Sequence, residues 1–295
     1  MSNTASPTAD GEPVIVARHL SKKYGTKTAL DDVSFSIGAG RIVGLIGPNG
    51  AGKTTALNAI LGLIPFDGEL SVLGLDPSKQ RDRLMDKVCF ISDVAILPRW
   101  LRVGQAIDYL EGVHPRFSRA KCEAFLARTK LQPKQRVREL SKGMIVQLHL
   151  ALIMAIDARI LVLDEPTLGL DILYRKEFYQ SLLNDYFDEN KTILVTTHQV
   201  EEIEHILSDL IFIRNGRIAL SATMDEVAER FAEVMVGPEH AEAARALNPL
   251  NERAVFGKSV FLFDGAPRAK LLELGEVRNP SVADLFVATM KGTYA

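Results

Sequence analysis

Eight consecutive residues, Gly47-Pro48-Asn49-Gly50-Ala51-Gly52-Lys53-Thr54, carry the pattern G-x-x-x-x-G-K-[ST], and Thr55 follows them. The order suits phosphate chemistry. Glycines let the backbone curl so that successive N–H groups face phosphate oxygens. A helix opening at this point adds its positive N-terminal end. Lys53 is placed to reach β- and γ-phosphates, and the Thr54 hydroxyl to bind Mg²⁺. Far downstream, Ile160-Leu161-Val162-Leu163 runs into two carboxylates, Asp164 and Glu165. Asp164 is a candidate for holding Mg²⁺, directly or through water. Glu165 is a candidate base or water-positioning group for attack on the γ-phosphate. Val195-Thr196-Thr197-His198 ends another apolar run. His198 could donate to the γ-phosphate or hold the attacking water, although a lone histidine at a strand end is more often structural.

These residues need elements to hold them. Ile42–Ile46 is almost continuously apolar, as a fully buried parallel strand should be. After the glycine-rich loop, Leu57, Ile60, Leu61 and Ile64 recur at helical spacing. Ile160–Leu163 and Thr192–Val195 read as two more buried strands, and Val33–Ile37 alternates as a half-buried one. Apolar strands alternating with helices predict an α/β fold around a parallel sheet. From about Asp76 to Arg138 only Val88–Ile91 reads as strand, so a helical insertion is expected there. Leu148–Ile156 reads as a buried helix, too short to span a bilayer, which takes roughly 20 apolar residues.

Beyond about Met224 the pattern changes. Strands are expected at Glu233–Val236, Arg253–Phe256, Ser259–Phe263 and Glu276–Arg278, with helices at Glu239–Leu247, Pro267–Leu274 and Val282–Met290. The order β-α-β-β-α-β is that of a ferredoxin-like unit. The expected organisation is a flexible tail over 1–13, a main domain over 14–223 with its helical part at about 76–150, and a small α+β appendage over 224–295, with the alternative that Val282–Met290 packs back on the main domain as an amphipathic helix. Met1–Pro13 lacks the basic start and apolar stretch of a signal peptide.

The chain has 295 residues and a formal net charge of −2, with 47% hydrophobic and 24% charged residues. That balance supplies no general field for nucleic acid or an anionic surface. The two cysteines, Cys89 and Cys122, form no CxxC or Cys/His cluster and read as reduced thiols in a cytosolic protein.

Taken in order, the motifs resemble those of ABC ATPases over about Val14 to Ala222. Leu140-Ser141-Lys142-Gly143-Met144 resembles the LSGGQ signature, Leu168-Gly169-Leu170-Asp171 the D-loop, and His198 the switch histidine. Tyr24 sits where the family stacks an aromatic residue on adenine. The resemblance implies a P-loop core with a parallel sheet, an N-terminal antiparallel β subdomain and an inserted helical subdomain. It implies ATP and Mg²⁺ as ligands. It also implies a pair of cassettes, a homodimer here, in which Ser141 and Gly143 of one chain meet the nucleotide held by the other. The LSKGM variant and the C-terminal extension are most similar to bacterial exporter ATPases. These act at the inner face of the cell membrane on a separate integral-membrane permease, and no nucleic-acid partner is expected.

Two positions depart from the family pattern. The Q-loop glutamine falls at Asp93, which can bind Mg²⁺ or orient water but offers no amide donor. Ile145 and Val146 follow the signature where relatives carry polar residues. Trp100 lies where relatives touch the membrane subunit, and it either makes that contact or packs within the helical part. A regulatory GTPase would need a guanine-reading N-K-x-D, and Asn190-Lys191-Thr192-Ile193 lacks the aspartate. A non-transport ABC ATPase acting on chromosomes would carry a long coiled coil between Gly47 and Leu140, where no sustained heptads occur. One acting on ribosomes would usually carry two cassettes, where this chain has one.

Overall fold

The computed structural model describes residues 13–91, 97–168 and 170–291. Asp93 and Gly169 lie outside the described residues. Strands β1 (Pro13–Tyr24) and β2 (Lys27–Gly38) pair antiparallel. The alternation expected in β2 is present, with Val33, Phe35 and Ile37 buried and Ser34 and Ser36 exposed. Then come β3 (Ile42–Ile46), helix α1 (Lys53–Ile60) and β4 (Asp67–Val72). The first sheet has the order β2-β1-β4 and is antiparallel throughout. Helix α1 stops before Ile64. Gly62 takes φ 64°, and its α-carbon packs against the Pro77 carbonyl, so the chain leaves the helix at a site only glycine fits.

The helical insertion follows. It comprises α2 (Arg81–Met85), strand β5 (Val88–Ile91), α3 (Val103–Val113), α4 (Arg119–Leu126) and α5 (Lys142–Met154). Its own core gathers Val103, Ile107, Cys122, Leu126, Leu148 and Ala151. Val146 to Ile153 is almost wholly buried, because α5 packs between this core and the main sheet. Trp100 is 69% exposed, so packing inside the helical part is not its role.

The second sheet is built from β3, β5, β6 (Ile160–Asp164), β7 (Thr192–Thr197), β8 (Asp209–Arg214) and β9 (Arg217–Thr223), with α6 (Ile172–Ser181) between β6 and β7. Its order is β5-β6-β7-β3-β8-β9, parallel except for β9, which returns as a hairpin. The sheet is therefore mixed and mostly parallel. Ligands of such sheets bind outside the carboxyl ends of the strands. Here β6, β7 and β3 are consecutive neighbours, with Asp164 opposite Thr196 and Ile46 opposite Thr197. The glycine-rich loop, the two carboxylates and His198 therefore leave the sheet at one edge.

The remaining elements are α7 (Met224–Arg230), β10 (Phe231–Val236), α8 (Ala241–Arg245), β11 (Asn251–Val255), β12 (Lys258–Asp264), α9 (Arg268–Leu272), β13 (Glu276–Arg278) and α10 (Val282–Lys291). The third sheet is antiparallel with order β11-β12-β10-β13, which is the ferredoxin-like arrangement. The helix expected at Glu239–Leu247 is shorter and starts as a 3₁₀ turn at Pro238–His240, because Pro238 fixes its backbone there. The sheet has a separate core in which Val234, Val236, Phe261 and Phe263 meet Ala244 and Leu271.

Helix α10 does not stay with that unit. Its Val282, Leu285 and Ala288 join the main core beside Phe212 and Leu210. The Phe286 and Phe212 rings meet edge to face at 5.3 Å. Arg214 donates to the Met290 carbonyl at 2.8 Å, and the Val282 N–H donates to Glu204 at 2.9 Å. The segment that reads as an appendage is thus fastened to the main sheet by its last described helix.

Candidate active site

Between β3 and α1 the chain forms a loop in which two glycines have no substitute. A Cβ at Gly47 would meet the Ile213 carbonyl, and one at Gly52 the Ala29 carbonyl, with Gly52 at φ 115°. Gly52 caps α1 without a side-chain partner, and the first turn carries no acidic residue. The open N–H groups of α1 therefore face a cavity of about 440 Å³ lined by Tyr24, Asn49, Lys53, Thr54, Asp164 and Glu165, among others. Tyr24 ends β1 half exposed, with Lys22 Nζ over its ring at 5.2 Å from the centre. Gly50, Ala51, Gly52 and Thr55 also line the cavity.

Lys53 is only 7% exposed. Its Nζ donates to the Gly47 carbonyl at 2.7 Å and to that of Pro48 at 3.4 Å, and lies 3.7 Å from Glu165 Oε1. Burial pulls its pKa down, against the charges of Glu165 and Asp164, which hold it up. Thr54 Oγ1 donates to Asp164 Oδ2 at 3.3 Å, and Thr196 Oγ1 donates to Oδ1 of the same carboxylate at 2.5 Å. A hydroxyl and a carboxylate oxygen side by side fit a hard divalent cation such as Mg²⁺, which takes few protein ligands and completes its shell with water and phosphate oxygens.

Glu165 follows β6 at φ 50°, an unfavourable region for a side chain of this size, costing about 1–3 kcal/mol. Its N–H donates to the Thr196 carbonyl at 3.1 Å, which holds the turn in place. His198 Nδ1 lies 3.0 Å from both carboxylate oxygens of Glu165. With an ionised carboxylate as acceptor, the imidazole proton sits on Nδ1 and leaves Nε2 for another partner. Glu165 is thus held between an ammonium and an imidazole, next to the Thr54–Asp164 pair.

Lys53, Thr54, Asp164, Glu165 and His198 come together as the sequence led one to expect. Ser141 and Gly143 do not line the cavity. Ser141 caps α5, its Oγ accepting from the Met144 N–H at 3.3 Å. Thr196, Lys27 and Ala29 belong to the same surroundings and were not anticipated, and Leu168, which opens the D-loop-like run, lines the cavity as well. Of the three unanticipated residues only Thr196 carries a sequence signal, as the first hydroxyl after the apolar run Ile193–Val195.

The family model described as ABC transporter matches residues 30–168. The chain is 33% identical over 287 residues to the Nod factor export ATP-binding protein I of Paraburkholderia xenovorans, covering 90% of this chain and 92% of that one. It is 33% identical over 228 residues to a probable multidrug ABC transporter ATP-binding protein of Escherichia coli, covering 75% of this chain. The chain spans only 39% of the length of that Escherichia coli relative. A solved structure described as the ATP binding subunit of an ABC transporter superposes with a TM-score of 0.63 at 25% identity, covering 73% of this chain and 92% of that one. The cbiO1 protein of Clostridium perfringens, part of the ABC transporter complex cbiONQ, shares the fold at a TM-score of 0.63 and 21% identity, over 80% of this chain and 94% of that one. With the glycine-rich loop, Asp164, Glu165 and His198 on one sheet edge, the chain belongs to the ATP-binding proteins of ABC transporters.

Proposed function

We propose that this protein hydrolyses ATP with Mg²⁺ and, as one of two identical cassettes, drives export through a separate integral-membrane permease at the inner face of the cell membrane. The observation that carries the reading is the placement of Glu165 between Lys53 Nζ at 3.7 Å and His198 Nδ1 at 3.0 Å, beside the Thr54–Asp164 pair. Export is supported by relatives whose names specify Nod factor export and multidrug transport.

The residues divide the work. Lys53 exchanges its carbonyl partners for β- and γ-phosphate oxygens and compensates their charge. Thr54 and Asp164 would hold Mg²⁺, which neutralises charge on the phosphates when bound. Glu165 accepts the proton of the attacking water. His198 orients the Glu165 carboxylate by donating through Nδ1, and its Nε2 accepts from the attacking water. Tyr24 stacks on the base. Ser141 and Gly143, at the open end of α5, serve the nucleotide of the second cassette, so each site is completed by the other chain.

Light scattering of Glu165→Gln with and without Mg-ATP tests the pairing. The variant should bind ATP, fail to turn it over and accumulate as a dimer. Wild-type turnover by this variant would refute the role of Glu165. A variant that stays monomeric alone and with a co-expressed permease would refute the paired arrangement. Recovery of the wild-type chain from detergent-solubilised membranes with a multi-span protein supports transport, whereas recovery with ribosomes or DNA refutes it.

A further inference from the structure

Two consecutive side chains at the start of α6 reach two different motifs. Tyr174 lies against the signature segment: Gly143 is buried, and any Cβ there would overlap the Tyr174 ring. Further along the same pair of helices, Gln147 Nε2 donates to Glu177 at 3.3 Å, so α5 and α6 are joined at two points. Arg175 turns the other way. Its Nε donates to the Leu170 carbonyl at 2.7 Å, and its Nη1 to Gln199 Oε1 at 2.8 Å and to the Glu202 carboxylate. Gln199 adjoins His198. Glu202 also accepts from Thr167 Oγ1 at 3.1 Å, two residues beyond Glu165. Asp171 stiffens this first turn, since its Oδ1 accepts from the N–H groups of Leu173 and Tyr174 at 3.1 and 3.2 Å.

We propose that Tyr174 and Arg175 form a positioning pair that couples, inside one chain, the Glu165–His198 group serving its own nucleotide to the signature turn serving the nucleotide of the second cassette. The inference rests on the paired arrangement proposed above. Its physical basis is that both residues ride on one capped helical turn. A displacement of His198 and Gln199 when nucleotide and water enter the site pulls on Arg175, whose planar guanidinium grips a carboxylate, an amide and a carbonyl at once. The same turn carries the Tyr174 ring. No side chain lies between that ring and the Gly143 backbone, so movement passes to the signature turn through close-packed atoms, which have little slack. Neither residue is required to touch nucleotide.

The test is steady-state hydrolysis against Mg-ATP concentration for the wild type, Tyr174→Ala, Tyr174→Phe, Arg175→Ala and Arg175→Lys, with nucleotide affinity measured on each dilute chain. The wild type should show a Hill coefficient above one. Tyr174→Ala and Arg175→Ala should bring it to one and weaken coupling roughly fivefold or more, with the affinity of the dilute chain unchanged. Tyr174→Phe keeps the ring and should behave as wild type. Arg175→Lys keeps the charge but not the fork and should fall between; it preserves the test if Tyr174→Ala does not fold. A smaller active fraction lowers the rate but not the Hill coefficient, which separates coupling from stability. An active wild type with a coefficient of one, or alanine variants that retain the wild-type coefficient, would overturn the proposal and leave the ATPase reading intact. A wild type that hydrolyses no ATP overturns that reading first, and the coupling with it.

Discussion

His198 Nδ1 sits 3.0 Å from both oxygens of Glu165, although the two residues are 33 positions apart. The imidazole therefore fixes the orientation of the carboxylate before any nucleotide arrives. Glu165→Gln should lower hydrolysis by about 100-fold or more through loss of the proton acceptor. His198→Ala should cost about 100-fold, with loss of the tether on Glu165 and of the contact to the attacking water. Nucleotide affinity should stay near wild type in both variants. Turnover assays paired with equilibrium binding check this, and a His198→Ala rate near wild type would remove the histidine from the site.

Lys53 carries a conflict between fold and function. Burial opposes its charge, so its folded pKa lies below the unfolded value. The cost of burying the ammonium is fully present below the folded pKa and is relieved as pH rises toward the unfolded pKa. Lys53→Met should therefore raise the melting temperature of the nucleotide-free chain at neutral pH, with the gain shrinking as the buffer becomes alkaline. The same variant should lose nearly all ATP hydrolysis. A melting temperature lowered at pH 7 would contradict the argument.

The cysteines should be chemically silent in the native chain. Burial pushes the Cys89 thiol up to about 12 and the Cys122 thiol up to about 11. At pH 8 almost no thiolate forms at either site. A chromogenic disulfide reagent should label neither thiol in the folded protein and both in guanidinium. Rapid native labelling would mean that the helical part or β5 opens far more often than this packing implies.

Helix α10 should matter to the stability of the whole chain. Leu285 is fully buried in the main core, and Leu285→Ala should destabilise by about 2–5 kcal/mol. Ending the chain before Val282 should lower the melting temperature of the nucleotide-binding region as well, measured with Mg-ATP present and absent. A main-core transition unchanged by the truncation would show that the Phe212–Phe286 contact contributes nothing there.

The catalytic residues were legible because their chemistry dictates their types. A phosphate loop must contain Gly47, Gly52, Lys53 and Thr54 in that order, and the buried strands β3, β6 and β7 announce themselves as short, largely apolar runs. The contacts between those strands were not legible. That Thr196 supports Asp164, or that Arg175 meets Glu202, follows from β6 and β7 being neighbours, and periodicity carries no information about strand order. The place of helix α10 stayed open for a related reason. Its apolar face was visible, but an amphipathic pattern does not say which of two cores will receive it. Asp93, read as standing in for a glutamine, lies outside the described residues.

Helix α10 is also made after every other described element. The ribosome adds about 5–20 residues each second, and Val282, Leu285 and Ala288 reach the exit of its tunnel only after the phosphate loop and both carboxylates have been outside for many seconds. During that interval the surface around Phe212 and Leu210 has no cover. The nascent chain therefore presents a greasy patch on a nearly finished nucleotide site, and chaperones that recognise such patches have a defined window in which to engage it.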